Sequence, residues 1–319
     1  MILTDYFRAE PDLQWDYARQ AGVEHAVLRL PEDEQFEYTD IRCWRMVIDR
    51  MSARGIKPVV IEPLPNCLHD PIKMGDPRRD ESIERLIGMF SVMEQLEIST
   101  LCFNFMAHVG WCRTSSCIPE RGGALVTGFS IEDYQGDDCI VTHEELWERL
   151  TYFLHAVVPE AERHGIKLAL HPDDPPVPCL GQVGRILTSL EAVDRAVHLV
   201  DSPILGVTLC QGTYSAMGED ICACIRHFCR QDKLFFVHFR DVAGERYHFH
   251  ETFHDNGQTD MNQAIRTYLA EGFQGPVRVD HVPTMAGEEN GLPGYANVGR
   301  LLALGYLRGL LEANGAEIR

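Results

Sequence analysis

Side chains of the kinds that bind divalent metals lie near the downstream ends of four predicted strands. They are His171 in IKLALHP, Cys210 in ILGVTLC, His238 in LFFVHFR and Asp280 in VRVDHV. In a (β/α)₈ barrel the C-terminal strand ends meet at one rim, where the following loops build the active site. The four residues therefore predict a metal site at that rim, and with it an enzyme.

The mixture of ligand types limits the choice of metal. Imidazole, thiolate and carboxylate together suit Mn²⁺, Fe²⁺, Co²⁺ or Zn²⁺ better than Mg²⁺. A single histidine at a strand end is more often hydrogen-bonded than metal-bound, and a single cysteine in an apolar run usually belongs to the core. Four such groups on four consecutive strand ends are much harder to explain in that way. We expect one metal ion with open positions for substrate oxygens.

Other polar residues at strand ends and in the adjoining loops are candidates for binding substrate. They are Glu62, Asn104, Arg113, Asp173, Arg240 and Glu251. The guanidinium of Arg113 could hold a substrate carboxylate through two hydrogen bonds. A surface position explains Arg113 equally well, and a proline-stiffened turn in HPDDPP explains Asp173 equally well.

Short β-type runs alternate with longer amphipathic segments along all 319 residues. The first four strands begin near residues 2, 25, 57 and 100, and helices are predicted at 11–21, 40–54, 79–96, 143–164, 188–200, 216–231, 259–271 and 294–313. This alternation predicts a single (β/α)₈ barrel domain over residues 1–319. A doubly wound open sheet is the main alternative, but no GxGxxG follows an early strand.

Two connections are too long for plain linkers. Residues 107–142 follow strand four, and residues 241–258 follow strand seven. Long loops in a compact domain are usually functional or disordered. Because both would lie on the catalytic rim, we expect them to form a lid or a substrate-binding wall.

Composition excludes several classes of protein. The net charge of −19 argues against nucleic acid as a partner, because phosphate binding needs a basic surface. No apolar run approaches the roughly 20 residues that span a bilayer, and the first residues do not resemble a signal peptide. The 11 scattered cysteines suit reduced thiols in a cytoplasm. We expect a cytoplasmic homo-oligomer that acts on a small molecule.

Several stretches of the chain resemble the mannonate dehydratase family, a group of barrels of the xylose isomerase type. The matching stretches span most of the chain and are CFNFMAHVGWCRT (102–114), LALHPDDPP (168–176), GVTLCQGT (206–213), FFVHFRDV (235–242), ETFHDNGQTDM (251–261), VDH (279–281) and PGYANVGR (293–300). The resemblance implies a divalent metal, commonly manganese, held by the four residues at the strand ends. It also implies dehydration of D-mannonate to 2-keto-3-deoxy-D-gluconate in hexuronate breakdown.

The same resemblance implies that His281 and Tyr295 transfer protons. Strict alternation along a strand would turn His281 away from the site, because Asp280 directly precedes it. His281 can face the site only if the strand has already ended. The chain departs from the family pattern in DHVPTM (280–285) and in the segment after strand two, so a close aldonate is as good a substrate candidate as D-mannonate. The alternatives are a metal-dependent sugar isomerase or epimerase on the same scaffold, and a non-catalytic binding protein.

Overall fold

The computed structural model describes residues 1–33, 35–288 and 291–319. Its strands, in chain order, are β1 (Ile2–Phe7), β2 (His25–Leu28), β3 (Lys57–Ile61), β4 (Thr100–Phe103), β5 (Ser115–Pro119), β6 (Leu125–Ser130), β7 (Ile140–Val141), β8 (Lys167–Leu170), β9 (Cys179–Leu180), β10 (Gln182–Gly184), β11 (Leu205–Cys210), β12 (Leu234–Phe239), β13 (Val242–Glu245), β14 (His248–Glu251) and β15 (Pro276–Val279). Eight of these close into a barrel in the order β1-β15-β12-β11-β8-β4-β3-β2. Every pair of neighbours in it is parallel, which confirms the predicted (β/α)₈ architecture.

The α-helices of the described residues lie in the connections between barrel strands, apart from the last, which follows β15. They are α1 (Leu13–Gln20), α2 (Ile41–Ser52), α3 (Asn66–Met74), α4 (Arg79–Gln95), α5 (His143–Arg163), α6 (Leu190–Val197), α7 (Gln211–Met217), α8 (Ile221–Cys229), α9 (Met261–Ala270) and α10 (Asn297–Ala313). The single helix predicted at 216–231 is wrong in one respect. It begins too early and corresponds to α8, because Gly218 ends the separate helix α7 with a left-handed φ of 88°. Helix α3 was not predicted, since its sequence contains Pro71 and follows two other prolines.

Among the described residues, no helix is long and apolar enough to cross a membrane.

The two long connections are not plain loops. They contribute strands to a four-stranded antiparallel sheet of order β13-β14-β6-β5, which we call the capping sheet. Its aromatic residues Phe129 and Phe249 pack with Val177 and Ala216, which follow barrel strands β8 and β11. The capping sheet therefore lies at the C-terminal end of the barrel, over the rim that carries the candidate site.

Helix α10 packs closely against the segment that follows β15. A methyl group added to Gly299 would overlap the backbone carbonyl oxygen of Pro283, which has little freedom to move. We expect Gly299→Ala to lower the free energy of unfolding by about 1–3 kcal/mol, as overpacking commonly does. Chemical denaturation would measure it. Gly305→Ala on the same helix is the control, because nothing lies within 4 Å of the added methyl group. It should stabilise the protein by about 0.5–1 kcal/mol, and equal effects of the two changes would contradict this account.

Candidate active site

A cavity of about 370 Å³ opens at the C-terminal end of the barrel. Its volume lies in the range of sites for small molecules. Several sequence-predicted residues line it: Glu62, Asn104, His171, His238, Asp280, His281 and Tyr295. Residues from both halves of the chain therefore meet around one space, at the rim where barrel enzymes bind their substrates.

Three of the four predicted metal ligands form a compact group. A ligand atom from each of His171, Cys210 and His238 lies within 4.8 Å of the other two. Strand register contributes to this, because β11 and β12 pair Cys210 directly with His238. Two imidazoles and a sulfur at this spacing are able to share one ion, given metal–nitrogen and metal–sulfur bonds of about 2.0–2.3 Å.

The two imidazoles are oriented as metal ligands require. The Nδ1–H of His171 donates to the carbonyl oxygen of Pro172 at 2.6 Å, which leaves the Nε2 lone pair free. His238 is buried, and neither of its ring nitrogens makes a well-aligned hydrogen bond. Its Nε2 lies 2.9 Å from Oε1 of Glu62, and its Nδ1 lies 3.5 Å from Oδ2 of Asp280. Buried polar atoms rarely remain without a partner, so one of these nitrogens could bind a metal ion.

The sulfur of Cys210 has the surroundings of a thiolate. Burial alone would raise the pKa of this thiol, but the guanidinium of Arg240 and the imidazoles of His171 and His238 together hold the pKa well below its usual value. The Nε–H of Arg240 and the hydroxyl of Thr213 both donate to Sγ, each at 3.2 Å. Thiolates rather than thiols bind metals. Cys210 is therefore suited to be a ligand.

A second group of potential ligands shares His238. It consists of Glu62, Cys102 and His238, all buried and within the same 4.8 Å limit. Burial raises the pKa of Cys102 to about 12, so this sulfur remains a thiol. It donates to Oε1 of Glu62 at 3.5 Å. The group that contains Cys210 is thus the better metal site of the two.

Asp280 lies beside the group of three ligands and does not belong to it in this conformation. Its Oδ1 accepts from Arg278 at 2.8 Å, and its Oδ2 lies 3.4 Å from Nε of Arg240. Burial would raise the pKa of Asp280, but Arg278 together with the neighbouring histidines holds this pKa well below its usual value. The carboxylate is therefore ionised, and it borders the cavity next to His238.

His281 and Tyr295 face each other on the cavity wall. Strand β15 ends at Val279, and His281 adopts a left-handed φ of 30°, which is uncommon for a residue other than glycine. The end of the strand explains how both Asp280 and His281 reach the cavity. Nε2 of His281 lies 3.2 Å from the hydroxyl of Tyr295, while its Nδ1 lies 3.0 Å from Oε1 of Glu251. Burial raises the pKa of Tyr295, so the hydroxyl keeps its proton at neutral pH.

Four of the predicted substrate-binding residues lie behind the cavity wall rather than on it. Asp173 accepts from the backbone N–H groups of Ile186 and Leu187, each at 2.9 Å. Buried residues Arg113, Arg240 and Glu251 form an ion-paired cluster, which also contains Asp174. The prediction of direct substrate contact does not fit these positions, because none of the four side chains lines the cavity.

Some cavity residues were not predicted from the sequence. They are Tyr6, Arg8, Arg29, Lys73 and Asp174. The criterion of a polar residue at a strand end applies equally to the ends of β1 and β2, and would have found the first three. Lys73 lies on α3, which was itself missed. Asp174 is the second acid of HPDDPP, and sequence alone did not separate it from Asp173.

Comparison with known proteins supplies independent information. A family model described as D-mannonate dehydratase (UxuA) matches residues 3–140 and 130–318. A mannonate dehydratase of Streptococcus equi subsp. zooepidemicus is 32% identical over 92% of this chain and 87% of its own length. A mannonate dehydratase of Streptococcus agalactiae is 33% identical over 92% of this chain and 91% of its own length.

Solved structures give the same result at the level of the fold. The crystal structure of mannonate dehydratase from Streptococcus suis serotype 2 superposes with a TM-score of 0.91 and 28% identity, and the match covers 100% of this chain and 97% of that one. A D-psicose 3-epimerase has a TM-score of 0.64 at 12% identity, covering 99% of this chain and 100% of that one. The similarity to the epimerase shows the shared barrel alone.

Proposed function

The chain belongs to the D-mannonate dehydratase family, and on this premise we propose that it is a metal-dependent hydro-lyase. Its substrate is D-mannonate or a close aldonate, and its products are 2-keto-3-deoxy-D-gluconate, or the corresponding keto acid, and water. One observation carries the proposal. His171 and His238 of the ligand group, with Asp280 beside them, line the same cavity as the His281–Tyr295 pair.

In this proposal His171, Cys210 and His238 hold a divalent cation, with Asp280 as the fourth ligand. Mn²⁺ is the ion we favour, with Fe²⁺, Co²⁺ or Zn²⁺ as alternatives for the same donor set. When bound, the cation acts as a Lewis acid that stabilises negative charge on the substrate carboxylate. The carboxylates of Glu62 and Asp280 lie 2.9 and 3.5 Å from the ring nitrogens of His238, and their negative charges would favour a cation there.

The side chains of His281 and Tyr295 perform the proton transfers in this proposal. Dehydration removes the proton from C2, next to the carboxylate, and protonates the hydroxyl that leaves C3 as water. The pair has one acceptor nitrogen and one hydroxyl proton in contact with each other, so it can both take and give a proton. The enol that results tautomerises to the 2-keto acid.

Cations on the cavity wall, which lie among carboxylates there, could bind the carboxylate of an acidic substrate. The chain as a whole carries a net charge of −19, yet Arg8, Arg29 and Lys73 line this cavity. Among the described residues Arg8 makes no ion pair, so its guanidinium is available to an anion. Cations in a cleft raise the local concentration of anionic ligands. The isomerase or epimerase alternative is supported by similarity of fold alone.

Turnover of a panel of aldonates by the Mn²⁺-loaded protein would test the proposed function. We expect 2-keto-3-deoxy acid to form from D-mannonate or from a stereoisomer of it. Isomerisation of aldoses or ketoses, without any turnover of the aldonates, would contradict the proposal and support the alternative.

Location and assembly follow as two further parts of the proposal. All 11 cysteines are free, which suits the reducing cytoplasm.

Three apolar residues of helix α10 are exposed to solvent: Val298 is 43% exposed, Leu301 37% and Leu302 46%. Adjacent exposed apolar residues are typical of a protein interface, which supports a homo-oligomer. Light scattering that gives the mass of a single chain would contradict that assembly.

A further inference from the structure

We propose that Glu251 is a positioning residue that fixes the tautomer of His281, so that the lone pair of Nε2 faces the hydroxyl of Tyr295. This inference rests on the proposed roles of His281 and Tyr295 and adds a residue that touches neither substrate nor metal. The sequence predicts that Glu251 binds substrate. In the structure it does not line the cavity and instead lies behind His281.

The geometry around the imidazole defines a chain of three groups. Oε1 of Glu251 lies 3.0 Å from Nδ1 of His281, and Nε2 on the other side of the ring lies 3.2 Å from the hydroxyl of Tyr295. An ionised carboxylate can only accept hydrogen bonds. Nδ1 must therefore carry the proton, and in the neutral ring Nε2 is left as the acceptor for the tyrosine O–H.

The capping sheet is what brings the carboxylate to this position. Glu251 is the last residue of β14 and is 1% exposed. Arg240 donates to both of its oxygens at 2.8 and 2.7 Å, and Arg113 donates to Oε1 from the loop after β4. These guanidiniums outweigh burial and lower the pKa of Glu251 to about 2, which keeps it an acceptor.

Other contacts restrict the ring from further directions. The ring of Trp111, from the segment after β4, lies 4.7 Å from the His281 ring, centroid to centroid. The left-handed backbone of His281 turns the side chain inward. With one nitrogen bound to Glu251, little rotation of the imidazole remains. The capping sheet thus has a role in the chemistry besides covering the cavity.

Glu251→Gln tests the inference, because an amide can donate to Nδ1 and so favour the opposite tautomer. Asp174→Asn is the matched control. Asp174 is equally buried and binds the same two arginines, yet it makes no hydrogen bond with His281 among the described contacts. Nitrogen-15 NMR of histidine-labelled, Zn²⁺-loaded protein reports the tautomer directly, since Zn²⁺ is diamagnetic.

We expect the Nδ1–H tautomer of His281 in the wild type and in Asp174→Asn, and a shift toward Nε2–H in Glu251→Gln. We also expect kcat of Glu251→Gln to fall roughly 100-fold or more, with KM changed by less than about threefold, as for other residues that orient a catalytic histidine. Glu251→Asp keeps the charge that the arginines need and should give an intermediate kcat. If Glu251→Gln fails to fold, Glu251→Asp is measured in its place.

The tautomer measurement separates this inference from the proposed function. If the protein has no dehydratase activity but the glutamine variant changes the tautomer, the positioning role stands and the reaction assignment fails. If the wild-type ring carries its proton on Nε2, the inference is overturned. An unchanged tautomer and an unchanged kcat in Glu251→Gln would overturn it as well.

Discussion

Cys210→Ser is expected to weaken the binding of the divalent metal by at least about 100-fold. The variant replaces a thiolate, which Arg240 holds in its ionised form, by a hydroxyl that stays protonated and is a poor ligand. Two imidazoles and a carboxylate would then have to hold the ion with one strong ligand fewer. Elemental analysis after dialysis, together with a metal titration, would measure the loss, and turnover should fall in proportion to occupancy.

Cys102→Ser is the matched control for that experiment. Cys102 is also buried in the barrel near His238, but its sulfur is a thiol that donates to Glu62. We expect this variant to keep most of its metal. The reverse result, with metal lost from Cys102→Ser and retained by Cys210→Ser, would mean that the ion lies in the group formed by Glu62, Cys102 and His238.

Tyr295→Phe is expected to lower kcat by roughly 10²–10⁴-fold, which is the usual contribution of a general acid or base. The variant removes only the hydroxyl that contacts Nε2 of His281 and keeps the ring that packs beside Trp111. Metal content should therefore stay unchanged, and KM should change little. Steady-state kinetics and elemental analysis on the same preparation would establish both points.

Tyr6→Phe provides the comparison, because it removes a hydroxyl from the same cavity wall. The Tyr6 ring lies 6.0 Å from that of Tyr295, centroid to centroid, but its hydroxyl faces Arg29 rather than His281. Loss of the Tyr6 hydroxyl should lower kcat by less than about tenfold. A Tyr295→Phe protein that works within threefold of the wild-type rate would remove this tyrosine from the proposed mechanism.

The barrel and the grouping of three candidate metal ligands were predictable from sequence because they depend on local signals. A run of apolar residues that ends in a polar one marks the C-terminal end of a parallel strand, and all such ends share one rim. His171, Cys210 and His238 could thus be brought together without knowing which strands pair. For His281 the sequence left the orientation open, because it depends on where β15 ends and on a single backbone torsion.

The capping sheet and the ion-paired cluster were not predictable, because they depend on contacts between distant segments. Strand β14 pairs with β6, more than a hundred residues away, and Arg113 meets Glu251 only after that sheet has formed. Sequence alone therefore presented Arg113 and Glu251 as separate loop residues with free polar groups. In the structure the two side chains are buried and neutralise each other's charge. They therefore hold neighbouring residues of the site in place and do not contact substrate.

The central claim concerns the position of one cation, and anomalous X-ray diffraction from crystals grown with Mn²⁺ tests it most directly. We expect a single strong anomalous peak in the cavity, at bonding distance from ligand atoms of His171, Cys210, His238 and Asp280. A peak among Glu62, Cys102 and His238, or no peak in the cavity at full Mn²⁺ loading, would contradict it.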